Sequence, residues 1–369
     1  LAVFAIGLST TVPLPLYVEY AEGWPARALA LAFACYALTL IVTAPLLGPL
    51  PDRIGRRPCL LLGLALSALA TLGLALAPSL PMLGLARIAQ GLAMGCAAGA
   101  ATAWGAELVG GGDAARRAAA TVTTATAGSF GAGALLTLIA LWFAPDPRPP
   151  VTFWLQCGLA LALLPVLARL PETLAHPPLA HPQGGWLRRP AFPRGTWPTT
   201  LPMLLAWGST GTMLTAVPAT LAAAGHPRLG AVAVAVMILV GVAAQQAMRR
   251  IEPRRSVRVG LLVLMLGLAL AVPGALSADL VLLLFGGALL GVAAYGFCYL
   301  GGLAGAASAA RPEERARAAA GFFLIAHTGF AGVPLAVGVL VDAAGAAPAL
   351  WALLALVSIS CAALWVRLR

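Results

Sequence analysis

The chain of 369 residues contains no lysine, and only 9% of its residues are charged. A soluble domain carries about 25% charged residues. This chain therefore cannot cover itself with a water-soluble surface, and a soluble enzyme or binding domain is excluded. Cysteine occurs six times (Cys35, Cys59, Cys96, Cys157, Cys298, Cys361) but never as a Cys-x-x-Cys pair. All six lie in or beside apolar runs, so nothing points to a disulfide framework or a thiolate metal site. No cleavable signal-peptide pattern is present. Because Leu1 already stands inside an apolar run, the natural start is expected upstream. Also missing are G-x-x-x-x-G-K-[ST], H-E-x-x-H and G-x-S-x-G, the signatures of an ATP-binding loop, a zinc protease and a serine hydrolase. No metal or organic cofactor is expected, the chain is not read as an enzyme, and any work it does must draw on a gradient.

What the chain has in abundance is apolar length: 61% of its residues are hydrophobic. A membrane-spanning helix needs about 20 apolar residues. Runs broken by Pro, Gly and Arg clusters lie at 1–17, 28–50, 59–77, 82–104, 118–143, 151–170, 199–223, 230–248, 257–276, 280–304, 316–341 and 348–366. Lipid offers no partner for an unpaired backbone group, and no alternating ten-residue barrel segments occur, so the runs must be helices. The fold class is all-α integral membrane, with about twelve transmembrane helices, or eleven if the clipped first run is not counted.

A net charge of +11 can mark a nucleic-acid binder. Here the 23 basic residues are all arginines, grouped at the ends of apolar runs rather than in one stripe with interleaved aromatics. No nucleic-acid partner is expected. Nineteen arginines fall after the even-numbered runs or in the C-terminal tail, from Arg53, Arg56 and Arg57 to Arg367 and Arg369. The opposite loops hold only Arg27, Arg148 and Arg228, and Arg87 falls inside a run, away from its ends. The positive-inside rule makes the Arg-rich side cytoplasmic, with both termini there and the protein multi-pass in the plasma (inner) membrane.

Residues 171–198 are rich in Pro, Gly and Arg and carry Trp186, Phe192 and Trp197. They read as a cytoplasmic linker between two six-helix bundles, 1–170 and 199–369. The halves echo each other weakly: a shift of 196 places Gly91, Gly95 and Gly105 on Gly287, Gly291 and Gly301. Together with the mid-chain linker this favours a duplicated, pseudo-symmetric transporter.

The loop after the second run reads Gly48-Pro49-Leu50-Pro51-Asp52-Arg53-Ile54-Gly55-Arg56-Arg57. Gly55 permits a tight turn. Asp52 can accept backbone amides at a helix N-terminus or pair with an arginine. The loop resembles, at every fixed position, the G-x-L-x-D-R-x-G-R-[RK] signature of the major facilitator superfamily, in the loop where that family carries it. In the fourth run, Arg87-Ile88-Ala89-Gln90-Gly91 resembles the family's R-x-x-Q-G pattern, whose arginine is associated with proton coupling. Arg87 follows Pro81 by six residues, about 9 Å of helix. An arginine at that depth costs roughly 2.5–3.5 kcal/mol and usually marks a wet pathway. Gly91, Gly95 and Gly99, four apart, read as a helix-packing face. The fifth run has Gly128-Ser129-Phe130-Gly131-Ala132-Gly133, with the glycines but not the proline of the G-x-x-x-G-P motif common in the family's drug–proton antiporters.

The resemblance implies a major-facilitator fold, gating by the loop from Gly48 and Leu50 through Asp52, Arg53 and Gly55 to Arg56 and Arg57, and a central cavity lined by the first, fourth, seventh and tenth spans. By position the cavity candidates are Thr11, Tyr17, Trp207, Thr210, Tyr295 and Tyr299, an aromatic set suited to an apolar or aromatic ligand. The residues ranked for proton and substrate coupling are Arg87 with Gln90, then Glu19, His327 and Glu107. His327 stands out because imidazole changes charge near physiological pH. The expected activity is proton-coupled efflux of an apolar or aromatic compound by a monomeric carrier whose partners are the small molecule, the proton and the lipid bilayer. The alternatives are a proton-coupled uptake permease for a sugar or organic acid, and a non-transporting receptor or scaffold.

Overall fold

The computed structural model of the chain describes residues 1–110, 112–144, 149–174, 189–311 and 314–368. Arg148, Trp186, Arg188 and Arg369, the side chain of Arg116 and the middle of the expected linker lie outside the described residues. The described elements are all helical. In chain order they are α1 (Ala2–Thr11), α2 (Tyr17–Tyr20), α3 (Ala26–Leu47), α4 (Pro51–Ile54), α5 (Arg56–Leu76), α6 (Leu80–Leu108), α7 (Gly112–Phe143) and α8 (Val151–Ala168). They continue as α9 (Trp197–Leu214), α10 (Ala216–Ala223), α11 (Pro227–Met248), α12 (Pro253–Ser277), α13 (Leu280–Gly291), α14 (Tyr299–Ser308), α15 (Arg315–Ala344) and α16 (Ala346–Arg367). A 3₁₀ turn, Leu14–Leu16, precedes α2, and a π-turn, Val292–Cys298, joins α13 to α14.

Among the described residues, eleven segments are long and apolar enough to cross a membrane, with Ala2–Tyr20 and Leu280–Ser308 each counted as one. The expected run at 199–223 is present as α9 and α10 but is not among them. Thr199, Thr200, Ser209, Thr210, Thr212 and Thr215 dilute its apolar character, and the helix breaks at Thr215 (φ −124°, ψ −76°). These hydroxyls do not stand unmet: Ser209 donates to Leu205 O at 2.8 Å, Thr212 to Gly208 O at 3.0 Å and Thr215 to Gly211 O at 2.9 Å. Such back-bonding lets a polar helix reside at membrane depth.

Large apolar side chains point outward where a soluble protein would place charge. Leu69, Leu85, Leu155, Phe285 and Ile359 are all at least 61% exposed, a surface that only lipid can solvate favourably. Prolines stand inside α3, α8, α9, α12 and α15, which membrane helices tolerate where their surroundings can re-satisfy the freed carbonyls.

The helices gather into two compact units. One comprises Leu1–Pro15 and Thr39–Arg189, the other Leu16–Leu38 and Pro190–Arg369. In the first, α5 packs along α6 and α8, while α1 lies against α5, α6 and α7. Gly133 of α7 stands where a Cβ would strike Thr11 Oγ1, which sets the close approach of α1 and α7. In the second, α9 packs along α15, and α12 lies against α13 and α16. Of the three spaced glycines of α6, Gly95 meets a neighbour closely, at Thr43 of α3, while Gly99 faces open space.

Candidate functional site

The Asp-Arg loop is built as a knot of carboxylates, guanidinium groups and helix ends within the first unit. Gly48 leaves α3, Leu50 receives the N–H groups of Arg53 and Ile54 on its carbonyl, each at 3.0 Å, and α4 forms one turn. Gly55 then reverses the chain with φ +106°, a region L side chains rarely adopt, and a Cβ there would strike Glu172 Oε2. Asp52 accepts a hydrogen bond from Arg56 Nη1, and the same guanidinium reaches Glu107 Oε1 at 3.2 Å from Nη2. Thr173 donates to the other oxygen of Glu107. Arg57 Nη1 donates to the carbonyls of Ala168 (3.2 Å) and Leu170 (3.0 Å), placing a cation at the negative end of α8. Arg53 is half-buried in α4.

Of the two roles open to Asp52, the structure uses the arginine pair. The capping role is taken by Glu172, whose carboxylate accepts the N–H groups of Arg56 (3.1 Å) and Arg57 (2.9 Å) at the start of α5. Burial pushes this carboxyl up, but backbone donors from Leu174, Arg57, Arg56 and Thr173 outweigh it and hold the group below the ordinary carboxylate range. Glu172 was readable in one respect: it is the single acid of the Arg-rich stretch 171–198. Trp104 Nε1 donates to Pro171 O at 3.1 Å, so the same segment is held from α6 as well. Glu107, ranked as a coupling residue, belongs to this knot.

Arg87 and Gln90, one turn apart on α6, meet the broken end of α1. The covalent cause lies in α1: the residue four positions after Ser9 is Pro13, which has no N–H to offer the Ser9 carbonyl. Gln90 Nε2 donates to that carbonyl at 2.7 Å. Arg87 Nη1 donates to the Thr10 carbonyl at 3.0 Å and to Gln90 Oε1 at 3.2 Å. Both side chains are buried, Arg87 at 3% exposure and Gln90 at 0%. The arginine thus stands at the C-terminal end of α1, where aligned carbonyls carry partial negative charge. Glu19, in α2, is exposed. Gln156 of α8, not singled out from the sequence, donates to Ala5 O at 3.2 Å, and its buried Oε1 has no hydrogen-bond partner among the described residues. Thr11 is held by contacts rather than presented to a space: its hydroxyl lies 3.4 Å from Leu8 O and 3.3 Å from Ser129 O.

In the second unit, aromatic rings from α14 and α15 converge on Trp207 of α9. Tyr299 stacks on it (centroids 6.5 Å, 8°), His327 meets it edge-on (5.1 Å, 87°) and Phe330 tilts against it (5.5 Å). Phe330 continues to Phe33 of α3 (4.8 Å), and Phe33 to Tyr17 (6.4 Å). Tyr17, Trp207, Tyr299 and His327, four candidates far apart in sequence, therefore belong to one chain of rings. Tyr295 is not part of this ring chain: its Cδ2 lies 2.6 Å from where a Gly241 Cβ would stand, so its ring packs on α11, while its side chain hydrogen-bonds that of Thr210 on α9. Thr210 also donates to its own helix, at Trp207 O, 3.0 Å away.

Two polar atoms in the ring cluster have defined states. Trp207 Nε1 is buried and finds no hydrogen-bond partner among the described residues. His327 Nδ1 lies 2.7 Å from Phe323 O; a carbonyl can only accept, so the proton sits on Nδ1 and Nε2 of the neutral ring keeps its lone pair. At the far end of α15, Asp342 caps α3, accepting Ala26 N–H (2.7 Å), Arg27 N–H (3.1 Å) and Arg27 Nη1 (3.1 Å). Asp342 also escaped sequence reasoning, since nothing in its local spacing announces a partner 315 residues away.

The sequence model of the Major Facilitator Superfamily matches residues 1–272. No curated protein matches the sequence. Among solved structures, a mutant form of the nucleoside transporter NupG is similar with a TM-score of 0.77 at 11% identity, covering 100% of this chain and 97% of that one. The human organic anion transporter MFSD10 (TETRAN) is similar with a TM-score of 0.61 at 20% identity, covering 98% and 97%. The all-helical architecture, the Asp-Arg loop and the match over most of the length agree: this chain belongs to the Major Facilitator Superfamily of membrane transporters.

Proposed function

We propose that the protein exports a small aromatic organic compound by proton antiport, working by alternating access at the plasma membrane with its termini in the cytoplasm. The observation that carries the cargo class is the ring cluster around Trp207. Stacked and edge-on rings supply a flat, apolar contact surface. The unpartnered Trp207 Nε1 supplies one donor at its side, and His327 Nε2 one acceptor. A planar ring bearing one polar edge satisfies that set. The nucleoside transporter in the fold comparison is compatible with this chemistry, because a nucleoside carries such a ring.

His327 also supports the proton reading, since its free lone pair can take a proton and the imidazolium would then stand against aromatic faces. Arg87 has a different part. By fixing the end of α1 it couples α6 to the point where the chain passes from α1 into α2. The knot of Asp52, Arg56, Glu107 and Glu172 stabilises one conformation of the first unit, and cargo or protons shift the equilibrium by binding another more tightly.

Reconstituted proteoliposomes test the proposal. A panel of radiolabelled aromatic compounds is followed with the vesicle interior acid, alkaline or neutral. Antiport predicts movement of a cargo against its gradient, in the direction opposite to the proton, and loss of that coupling in His327→Gln. Accumulation in the same direction as the proton would make the protein an uptake permease instead. No flux of any cargo would favour a receptor or scaffold.

A further inference from the structure

Away from the ring cluster and the Asp-Arg knot, the described residues enclose a cavity lined by charge. It has a volume of about 600 Å³ and lies between the start of α12 and the end of α16, bounded by Glu252, Arg254, Arg255, Arg258, Leu262 and Trp365. We propose that it holds the headgroup and upper acyl chains of one anionic phospholipid from the leaflet on the Arg-rich face.

Three features point to a phosphodiester. Arg254, Arg255 and Arg258 converge on the space, and among the described residues none of the three is paired with a carboxylate. Arg258 Nε is buried without a hydrogen-bond partner, although its guanidinium is held 5.0 Å over the Trp365 ring. A group that is fixed, cationic and unmet is poised for an anion. The single acid, Glu252, does not neutralise the set, because its two oxygens are spent on the N–H groups of Arg254 (3.0 Å) and Arg255 (2.7 Å). Those backbone bonds hold its carboxyl below the ordinary range, so it stays a carboxylate, and three guanidinium groups against it leave a net charge of +2.

Two features point to a lipid rather than a soluble phosphate. The lining is graded along α12: Arg255, Arg258 and Leu262 recur at i, i+3 and i+7, on one helix face. Leu262, eight residues past Arg254 and thus about 12 Å deeper, is 51% exposed. The cavity therefore runs from a cationic mouth to an apolar, laterally open floor. Trp365 sits between the two, at the level where aromatic rings favour the membrane interface. Basic pockets of this kind between transmembrane helices bind acidic headgroups.

Native mass spectrometry of the purified full chain tests this, with phosphatidylglycerol, phosphatidylcholine and sn-glycerol 1-phosphate as probes. One phosphatidylglycerol is expected to be retained more tightly than phosphatidylcholine. Each guanidinium removed should weaken it about fivefold: once in Arg254→Gln, whose exposed side chain leaves folding undisturbed, and about 25-fold in the pair Arg255→Gln and Arg258→Gln. The control pair Arg311→Gln and Arg315→Gln, on another Arg-rich loop, should bind like the parent. Unchanged retention in the α12 variants, an equal loss in the control pair, or glycerol phosphate binding as tightly as the lipid would each overturn the proposal.

Discussion

Replacing Gln90 with leucine isolates the junction between α1 and α6. Gln90 is fully buried and donates at 2.7 Å to the Ser9 carbonyl, which has no helical donor because Pro13 occupies the fourth following position. Leucine keeps most of the volume but leaves that carbonyl, and one donor of Arg87, without this partner. Leaving a buried acceptor unmet costs about 1–3 kcal/mol, and the upper part of that range applies where lipid excludes water. Gln90→Leu should therefore lower the thermal unfolding midpoint of the detergent-purified protein. The decisive arm is Pro13→Ala. Alanine restores an N–H at the position that can close onto Ser9, where Val12 already has helical dihedrals (φ −51°, ψ −42°). In that background the Gln90→Leu penalty should shrink by about 1 kcal/mol, a coupling within the range measured for residues sharing a network. An identical penalty in both backgrounds would refute the reasoning that the motif glutamine substitutes for the missing proline N–H.

Three further outcomes are expected. Gly55→Ala forces a Cβ into φ +106° and against Glu172, and should cost about 1–3 kcal/mol; a midpoint equal to the parent's would show that the turn can relax. The folded-state pKa of Glu172 is lowered below its ordinary value of 4.5, so its contribution is present above about pH 4.5 and is lost as the pH falls through the folded value. Glu172→Gln should accordingly flatten the acid limb of midpoint against pH while leaving the alkaline limb unchanged. Trp207→Phe keeps the ring but removes the unpartnered Nε1 donor, and in flux assays should raise KM about 5- to 10-fold with little change in maximal rate; a fall in rate alone would assign Trp207 to the conformational step.

The membrane-spanning helices were legible because apolar run length and proline or arginine punctuation are local properties. Arg87 and Gln90 were legible as a motif on one helix face, and their mutual hydrogen bond is what the structure adds. What escaped was every contact whose partner lies far along the chain. Glu172 caps α5 from 116 residues away and Asp342 caps α3 from 316; no spacing rule reaches that far. Nothing in the sequence around Glu107, at the end of α6, announces its partner Arg56, 51 residues away across a loop. The π-turn Val292–Cys298 was equally hidden, and with it the parting of Tyr295 toward α11 from Tyr299 toward Trp207. The converging rings were anticipated as separate residues on separate spans, and only the packing of α9 on α15 joins Trp207 to His327 and Phe330.

Alternating access requires the ring cluster to open to each side of the membrane in turn. Phe323, half-buried beside Tyr299 and His327, can be replaced by cysteine in a chain freed of its six native cysteines and labelled with an impermeant maleimide in vesicles of known orientation. Labelling from one face at rest, shifting to the other face when the pH gradient is reversed or an aromatic cargo is added, is the predicted result. Labelling confined to a single face under every gradient and cargo would contradict it.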